Sequence, residues 1–243
     1  MMNSKDLITM IFLLIVNIIE AQSLSNVQLI DWIDIRLGRE NLAIENGVLF
    51  KNYDKTINDN DRFLIAGFEG NSLFYDNQRY NNVFLNYDML NDNIIIQPLG
   101  KNDRRIIELL TEKVSMFEIS NKTFINLGYT SGNRQSFIKG FYEIKLRESR
   151  MTLFIKHVKF KKELFLNGLA YDDFTAVDVF IIKFKDTYYQ IGSRRDLINI
   201  WPTLEKKINQ LFDENANLSK NNFAEFMTKI VSNIDSFLKA SDL

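Results

Sequence analysis

Cysteine is missing from this chain of 243 residues. No disulfide can staple the fold, no thiol can carry a lipid anchor, and the core must hold the molecule together by itself. Histidine occurs once, at His157. A transition-metal site or a catalytic imidazole normally works with further His, Cys or carboxylate partners, so His157 reads as a residue on the surface of a strand, among Lys156 and Lys159, and no metal site or cofactor is expected. A surplus of positive charge is missing too: 30 Lys+Arg stand against 31 Asp+Glu, and the electrostatic footprint of a nucleic-acid binder needs a basic excess. No G-x-S-x-G, G-x-x-x-x-G-K-[ST] or H-E-x-x-H pattern occurs, which removes the common sequence signs of a nucleophile elbow, a phosphate loop and a zinc-protease helix. Proline is scarce, at 2, and both act as punctuation: Pro98 closes a strand, and Pro202 opens a helix, where its missing N–H costs nothing.

What is present starts at the N-terminus. Lys5 precedes the apolar run "LITMIFLLIVNII" (Leu7 to Ile19), and Glu20, Ala21 and Gln22 follow it. A positive start, a run of this length and a small residue at its end read as a secretory signal peptide over residues 1–21. The run falls short of the ~20 apolar residues of an ordinary spanning helix; the acidic flanks Asp6 and Glu20 leave an uncleaved anchor as the alternative. No second run reaches spanning length, so no integral membrane span is expected in the mature chain. The expected location is the periplasm, the outer-membrane periphery or the extracellular space. Residues 22–47, with "NVQLIDWIDIRLG", form an N-terminal arm that reads either as a short helix or as a loosely packed segment. The remainder, 48–243, is long enough for one domain, and a hydrophobic content of 46% with 20 Phe supplies a substantial core.

From Val48 to Gly192 the pattern is that of strands. In "NSLFYDNQRYNNVFLNYDMLNDNIIIQPLG" (Asn71 to Gly100), Val83, Leu85, Tyr87 and Met89 alternate with Phe84, Asn86 and Asp88, and the turn formers "DNQ" and "NDN" separate the apolar runs. Side chains alternate faces along a strand, so this stretch is a meander with one better-buried face. Tyr142, Ile144 and Leu146 point one way, and Glu143, Lys145 and Arg147 the other. "ESR" turns into "MTLFIKHVKF". "FTAVDVFIIKF" (Phe174 to Phe184) is apolar on both faces and reads as a central strand; the loop "KDT" leads on to "YYQIG".

The stretch "GSRRDLINIWPTLEKKINQLF" (Gly192 to Phe212) raises the question of a phosphate site, but no Gly-rich loop precedes it. Ser193 followed three residues later by Asp196 is a capping pair, so this is a helix start, with Arg194 and Arg195 as solvated first-turn residues. Leu197, Ile198 and Trp201 face inward. Pro202 restarts the chain as a helix with Leu204, Ile208, Leu211 and Phe212 on one stripe. Ser219 is read as the cap of a last helix, in which Phe223, Phe226, Met227, Ile230, Val231, Ile234, Phe237 and Leu238 recur at helical spacing. The expected fold is α+β: an antiparallel, meander-rich sheet over 48–192 followed by a C-terminal helical hairpin over 193–240.

The acidic clusters "NDND" (Asn58 to Asp61) and "YDDF" (Tyr171 to Phe174) lack the Gly and the terminal acid of a calcium loop and read as solvated turns. Ser131-Gly132 is a loop. Asn121-Lys122-Thr123 matches a glycosylation pattern, relevant only to a eukaryotic secretory route. The many Phe and Tyr residues either fill the core or line a cavity for an apolar ligand.

Three blocks in this order, "GNSLFYDNQRYNNVFLNYDMLNDNIIIQ", "GFYEIKLRESRMTLFIKHVKFKK" and "YYQIGSRRDLINIWPTLEKKINQLF" with the last amphipathic helix, resemble a group of small secreted proteins of unknown function from Bacteroidetes-type bacteria. The resemblance runs over roughly residues 68–237, and the Ala-Gln end of the signal peptide suits the same source; residues before Val48 and the stretch "YDKTINDNDR" depart from it. It implies export to the envelope or beyond and brings no catalytic residue with it. The expected function is that of an exported non-enzymatic envelope protein binding another protein or a surface component. The alternative is a carrier or sensor of an apolar ligand in a sheet–helix cavity, and a third reading is a hydrolase using paired carboxylates.

Overall fold

Short polar dipeptides set the register of the sheet. Asp76-Asn77, Ser120-Asn121 and Asn167-Gly168 each place two consecutive residues at positive φ, the backbone of the tight turn whose twist matches a right-handed hairpin. The pairs closing these turns are Tyr75↔Gln78, Ile119↔Lys122 and Leu166↔Leu169. The structure is a computed structural model and describes residues 42–57, 61–98, 105–129 and 137–240. The apolar run Leu7 to Ile19, nearly all of the arm 22–47, Asn58 to Asn60 and Ser131-Gly132 lie outside the described residues. Residues 46–243 form one unit, and a single 3-10 turn at Ala43–Glu45 belongs to the unit before it.

Eleven strands make one antiparallel sheet: β1 (Val48–Leu49), β2 (Glu69–Tyr75), β3 (Gln78–Asp88), β4 (Asn93–Gln97), β5 (Ile107–Glu108), β6 (Val114–Ile119), β7 (Lys122–Asn126), β8 (Phe141–Arg147), β9 (Met151–Leu166), β10 (Leu169–Phe184) and β11 (Thr187–Ile191). Their order is β1-β5-β4-β3-β2-β6-β7-β8-β9-β10-β11. The sheet curls strongly. Tyr87 of β3 and Phe124 of β7 are three strands apart, ~14 Å in a flat sheet, yet their ring centroids lie 5.5 Å apart. Met89, after β3, accepts a hydrogen bond of 3.0 Å from the N–H of Lys159 in β9. The concave face is filled by rings: Phe117 stacks on Phe124 at 4.7 Å, and Phe141 meets Phe117 edge-on at 5.2 Å. Asp92 ties the curl together by accepting from the Tyr87 hydroxyl (2.7 Å), the Lys156 ammonium (2.6 Å) and the Phe141 N–H (3.3 Å). Gly140 lies so close to it that a Cβ would overlap the carboxylate.

Four helices follow: α1 (Arg194–Ile200), α2 (Glu205–Glu214), α3 (Ala216–Asn221) and α4 (Phe223–Ala240), with a 3-10 turn at Pro202–Leu204 leading into α2. The capping box is present: Ser193 Oγ accepts from the Asp196 N–H, and the Asp196 carboxylate accepts from the Ser193 N–H at 2.8 Å. The apolar stripe of α4, from Phe226 to Ile234, buries itself against Met151, Leu153 and Ile155 of β9 and Phe180 and Ile182 of β10, together with Leu197, Trp201, Ile208 and Leu211. Asp235 on the same helix is buried and clamps the β8–β9 turn, accepting from the Arg150 N–H and the Ser149 hydroxyl and pairing with Lys239 at 2.6 Å.

Several local expectations need correction. Ser219 lies inside α3; the cap of α4 is Asn222, whose side chain accepts from the Glu225 N–H. Arg194 is part-exposed, as expected, but it is also engaged: its guanidinium bonds Asp213 at 2.6 Å and lies over the Phe212 ring, linking α1 to α2. Asn86 and Asp88 are buried although they alternate with Leu85 and Tyr87, because residues 61–67 cover that face; Asn86 donates to the carbonyls of Ile65 and Gly67 and Arg62 pairs with Asp88. Ile144 and Leu146 do not share a face. An irregularity between them shifts the register, so Ile144 packs with Phe154 and Leu146 with the helical layer. Tyr171 to Phe174 are not a turn but part of β10; β10 lies between β9 and β11 and is covered on both faces at Phe180 to Ile182, as expected, although it is the last strand but one and not in the middle of the sheet.

Candidate functional sites

β7, β8, β9 and β10 bring Lys122, Glu143, His157 and Asp178 together. Asp178 is the cross-strand partner of His157, and Glu143 lies diagonally across on β8, paired with Ile155, two residues before His157 on β9. The imidazole Nδ1 is 2.6 Å from Asp178 Oδ1, and Nε2 is 2.6 Å from Glu143 Oε2. Lys122 donates to the same Glu143 oxygen at 2.9 Å. Phe124 lies beside the imidazole, at 5.8 Å between ring centroids. His157 is therefore buried rather than a surface residue of its strand; alternation alone could not show that the curled sheet places this face inward.

Burial alone would neutralise these groups. It pushes the His157 pKa down, but the hydrogen bonds to Asp178 and Glu143 outweigh it and the net shift is upward. Burial likewise pushes the Glu143 carboxyl up, and the bonds from His157 and Lys122 reverse this, lowering it to about 2. The cluster is thus an imidazole held between two carboxylates, whose hydrogen bonds favour its protonated form. Both ring nitrogens are engaged by carboxylates, and a carboxyl as acidic as Glu143 is a poor proton donor near neutrality. The arrangement ties β7, β8, β9 and β10 together through their side chains.

Two surface grooves open among the described residues. One, of about 390 Å³, runs between β11 and α1 and contains Tyr188, Gln190, Asn199 and Asp196. The other, of about 380 Å³, contains Thr111, Glu112, Asn126 and Tyr129. Each holds a single carboxylate, and that of Asp196 is engaged in the helix cap. Among the described residues, no group of three His, Asp or Glu side chains is arranged to hold a metal ion, and no helix is long and apolar enough to cross a membrane.

Among the described residues, a group of exposed apolar side chains stands at the far end of the β9–β10 hairpin. Sixteen residues on each strand carry it past the neighbouring strands: β8 pairs with β9 only as far as Ile155, and β11 with β10 only from Phe180 onward. Beyond that point lie Phe160 and Val177, both exposed, and at the end Phe165, Leu166 and Leu169 are exposed to 71%, 48% and 60%. Along one edge, residues 52–56 strap the hairpin. Asp172 donates its N–H to Lys55 O, and Lys161 pairs with both Asp54 (2.9 Å) and Asp172 (3.0 Å). The end itself is uncovered. The Asn167-Gly168 dipeptide between two apolar runs is the sequence signal that marks this hairpin; nothing in the alternation marks its exposure.

No family model, no curated protein and no solved structure matches this chain.

Proposed function

We propose that the protein is an exported, non-enzymatic component of the cell envelope that docks onto another protein or surface component through the exposed end of its long hairpin. The observation that carries this reading is an inversion of the usual partition. The titratable groups that sequence patterning leaves outside, His157, Glu143 and Asp88, are buried in bonded clusters, while Phe165, Leu166 and Leu169 stand in solvent. Contiguous exposed apolar side chains on a well-packed domain are the mark of an interaction surface. The apolar run at Leu7 to Ile19, ahead of a cysteine-free chain, and the resemblance to secreted bacterial proteins support export. The carrier reading needs aromatic rings lining an open space, whereas the rings of Tyr87, Phe117, Phe124 and Phe141 pack on one another. The hydrolase reading needs two carboxylates converging on a substrate, and the two that converge here grip His157.

The test is native mass spectrometry of the chain gently extracted from its own envelope, beside the Leu166→Asp/Leu169→Asp variant. A discrete adduct on the wild type that the variant lacks is the expected result. A bare chain in both, or an adduct retained by the variant, overturns the reading.

A further inference from the structure

The end of the hairpin is apolar on both faces, not on one. Side chains alternate across the ribbon, and the register Leu166↔Leu169, Phe165↔Ala170 and Leu164↔Tyr171 puts the two leucines on one face, Phe165 and Ala170 on the other, and Leu164 and Tyr171 on the first again. The next two rungs, Glu163↔Asp172 and Lys162↔Asp173, are charged on both faces. Tyr53, also exposed, lies three residues before the parallel bridge between Thr56 and Asp172, on the side of that bridge toward the hairpin end. Three apolar rungs ending at a charged collar extend about 10 Å, the depth to which peripheral elements enter the boundary between headgroups and acyl chains.

We propose that this end inserts into the interfacial layer of a lipid bilayer, so that the surface component of the docking reading, on which this inference rests, is the membrane itself. A protein partner would present one surface and draw on roughly 20–30 residues of this chain; the hairpin end offers a few side chains facing opposite ways, an arrangement that only a surrounding medium covers on all sides. Three rungs are far short of the 9–11 residues of a strand that spans, so the attachment is peripheral, and the Asn167 amide at the turn keeps it shallow. The collar of Glu163, Asp172 and Asp173 with Lys161 and Lys162 has no basic excess, so attachment is driven by apolar burial and does not require anionic lipid.

The probe is phosphatidylcholine vesicles with the full chain. The wild type floats with the vesicles, weakly and reversibly, and about equally at ~0.1 and ~0.5 M salt. Leu166→Asp/Leu169→Asp lowers the floated fraction about tenfold or more while its urea melt matches the wild type. In a Phe165→Trp variant, emission shifts to the blue on adding vesicles and is quenched by acyl-brominated phosphatidylcholine. Wild type that does not float, flotation unaffected by the double variant, binding confined to anionic vesicles and abolished by salt, or an unquenched Phe165→Trp would each overturn the inference. Wild type that ignores vesicles but holds a polypeptide lost in the double variant overturns the lipid assignment alone; a double variant indistinguishable in both experiments overturns the docking reading with it.

Discussion

Replacing Glu143 with Gln removes one grip on the buried imidazolium and keeps the side chain's size. In the folded protein the carboxyl lies at about 2 against an ordinary 4.5, a shift that converts in full to roughly 3.5 kcal/mol at about 1.4 kcal/mol per tenfold change in acidity. One of its donors, Lys122, is 36% exposed, and screening at that end reduces the expected contribution to about 2 kcal/mol. Its sign follows from linkage. A carboxyl lowered by folding stabilises above 4.5 and loses that stabilisation as pH falls from 4.5 toward 2. His157 is raised, so its contribution is complete below about 6.5 and is lost as pH climbs through its folded value. The cluster therefore stabilises most between about pH 4.5 and 6.5. Urea melts of wild type and Glu143→Gln at about pH 3, 5.5 and 8 should differ by about 2 kcal/mol at the middle value. The gap should shrink on the acid side, where Glu143 takes up its proton, and again once the pH passes the raised folded value of His157, where the imidazole gives up its own. A gap that is constant across the three pH values, or one under about 0.5 kcal/mol at pH 5.5, would refute the imidazolium assignment.

Phe226→Ala should cost about 3 kcal/mol or more in a urea melt, because the ring is fully buried against Phe212 and Phe223 at the centre of the helical layer. Asp196→Ala should cost about 1 kcal/mol or less, since only a helix cap is weakened; equal and negligible effects of the two would deny that the helices are docked. Asp235→Ala leaves the Arg150 N–H without its acceptor inside the fold and should cost about 2 kcal/mol, with faster amide exchange at Arg150 and its turn; protection unchanged there would show that the clamp carries no load.

Local chemistry made much of this fold legible. Asp-Asn and Asn-Asp clusters marked the meander turns, and Ser193 with Asp196 marked a helix start, because a turn or a cap is decided within four residues. The apolar stripe of α4 needed only its 3.6-residue period. What escaped was decided at a distance. Alternation put Glu143 outside, and it is buried because the curl of the sheet sets β3 opposite β7, β8 and β9. Asn86 and Asp88 looked solvent-facing, and residues 61–67 cover them. Ile144 and Leu146 looked alike until a one-residue irregularity separated their faces, a feature that two-fold alternation cannot register. The buried cluster was hardest of all: Lys122, Glu143, His157 and Asp178 are scattered along the chain, and only strand register assembles them. Asn167-Gly168 carries the chemistry of a hairpin turn, and the reading of Tyr171 to Phe174 as a solvated turn misplaced the reversal by several residues.

The hairpin is built unequally along its length, and that inequality joins the buried charges to the exposed end. Near Met151 and Phe184 it lies under the helices as part of the core. In the middle, Glu143, Lys159, Lys161 and Asp172 fasten it to β8, to the chain after β3 and to the strap at residues 52–56. Its last two rungs, Phe165↔Ala170 and Leu166↔Leu169, are exposed on both strands, and the rung before them, Leu164↔Tyr171, is part-buried. An apolar surface carried on a floppy loop loses much of its binding free energy to ordering, whereas one mounted on a braced ribbon loses little. On the proposed docking reading, the ionic groups would act indirectly: they would hold the shank of the hairpin in place, so that the apolar side chains at its end are presented in one geometry. Loosening the brace should weaken attachment without changing the chemistry of the end, and changing the end should abolish attachment without loosening the brace.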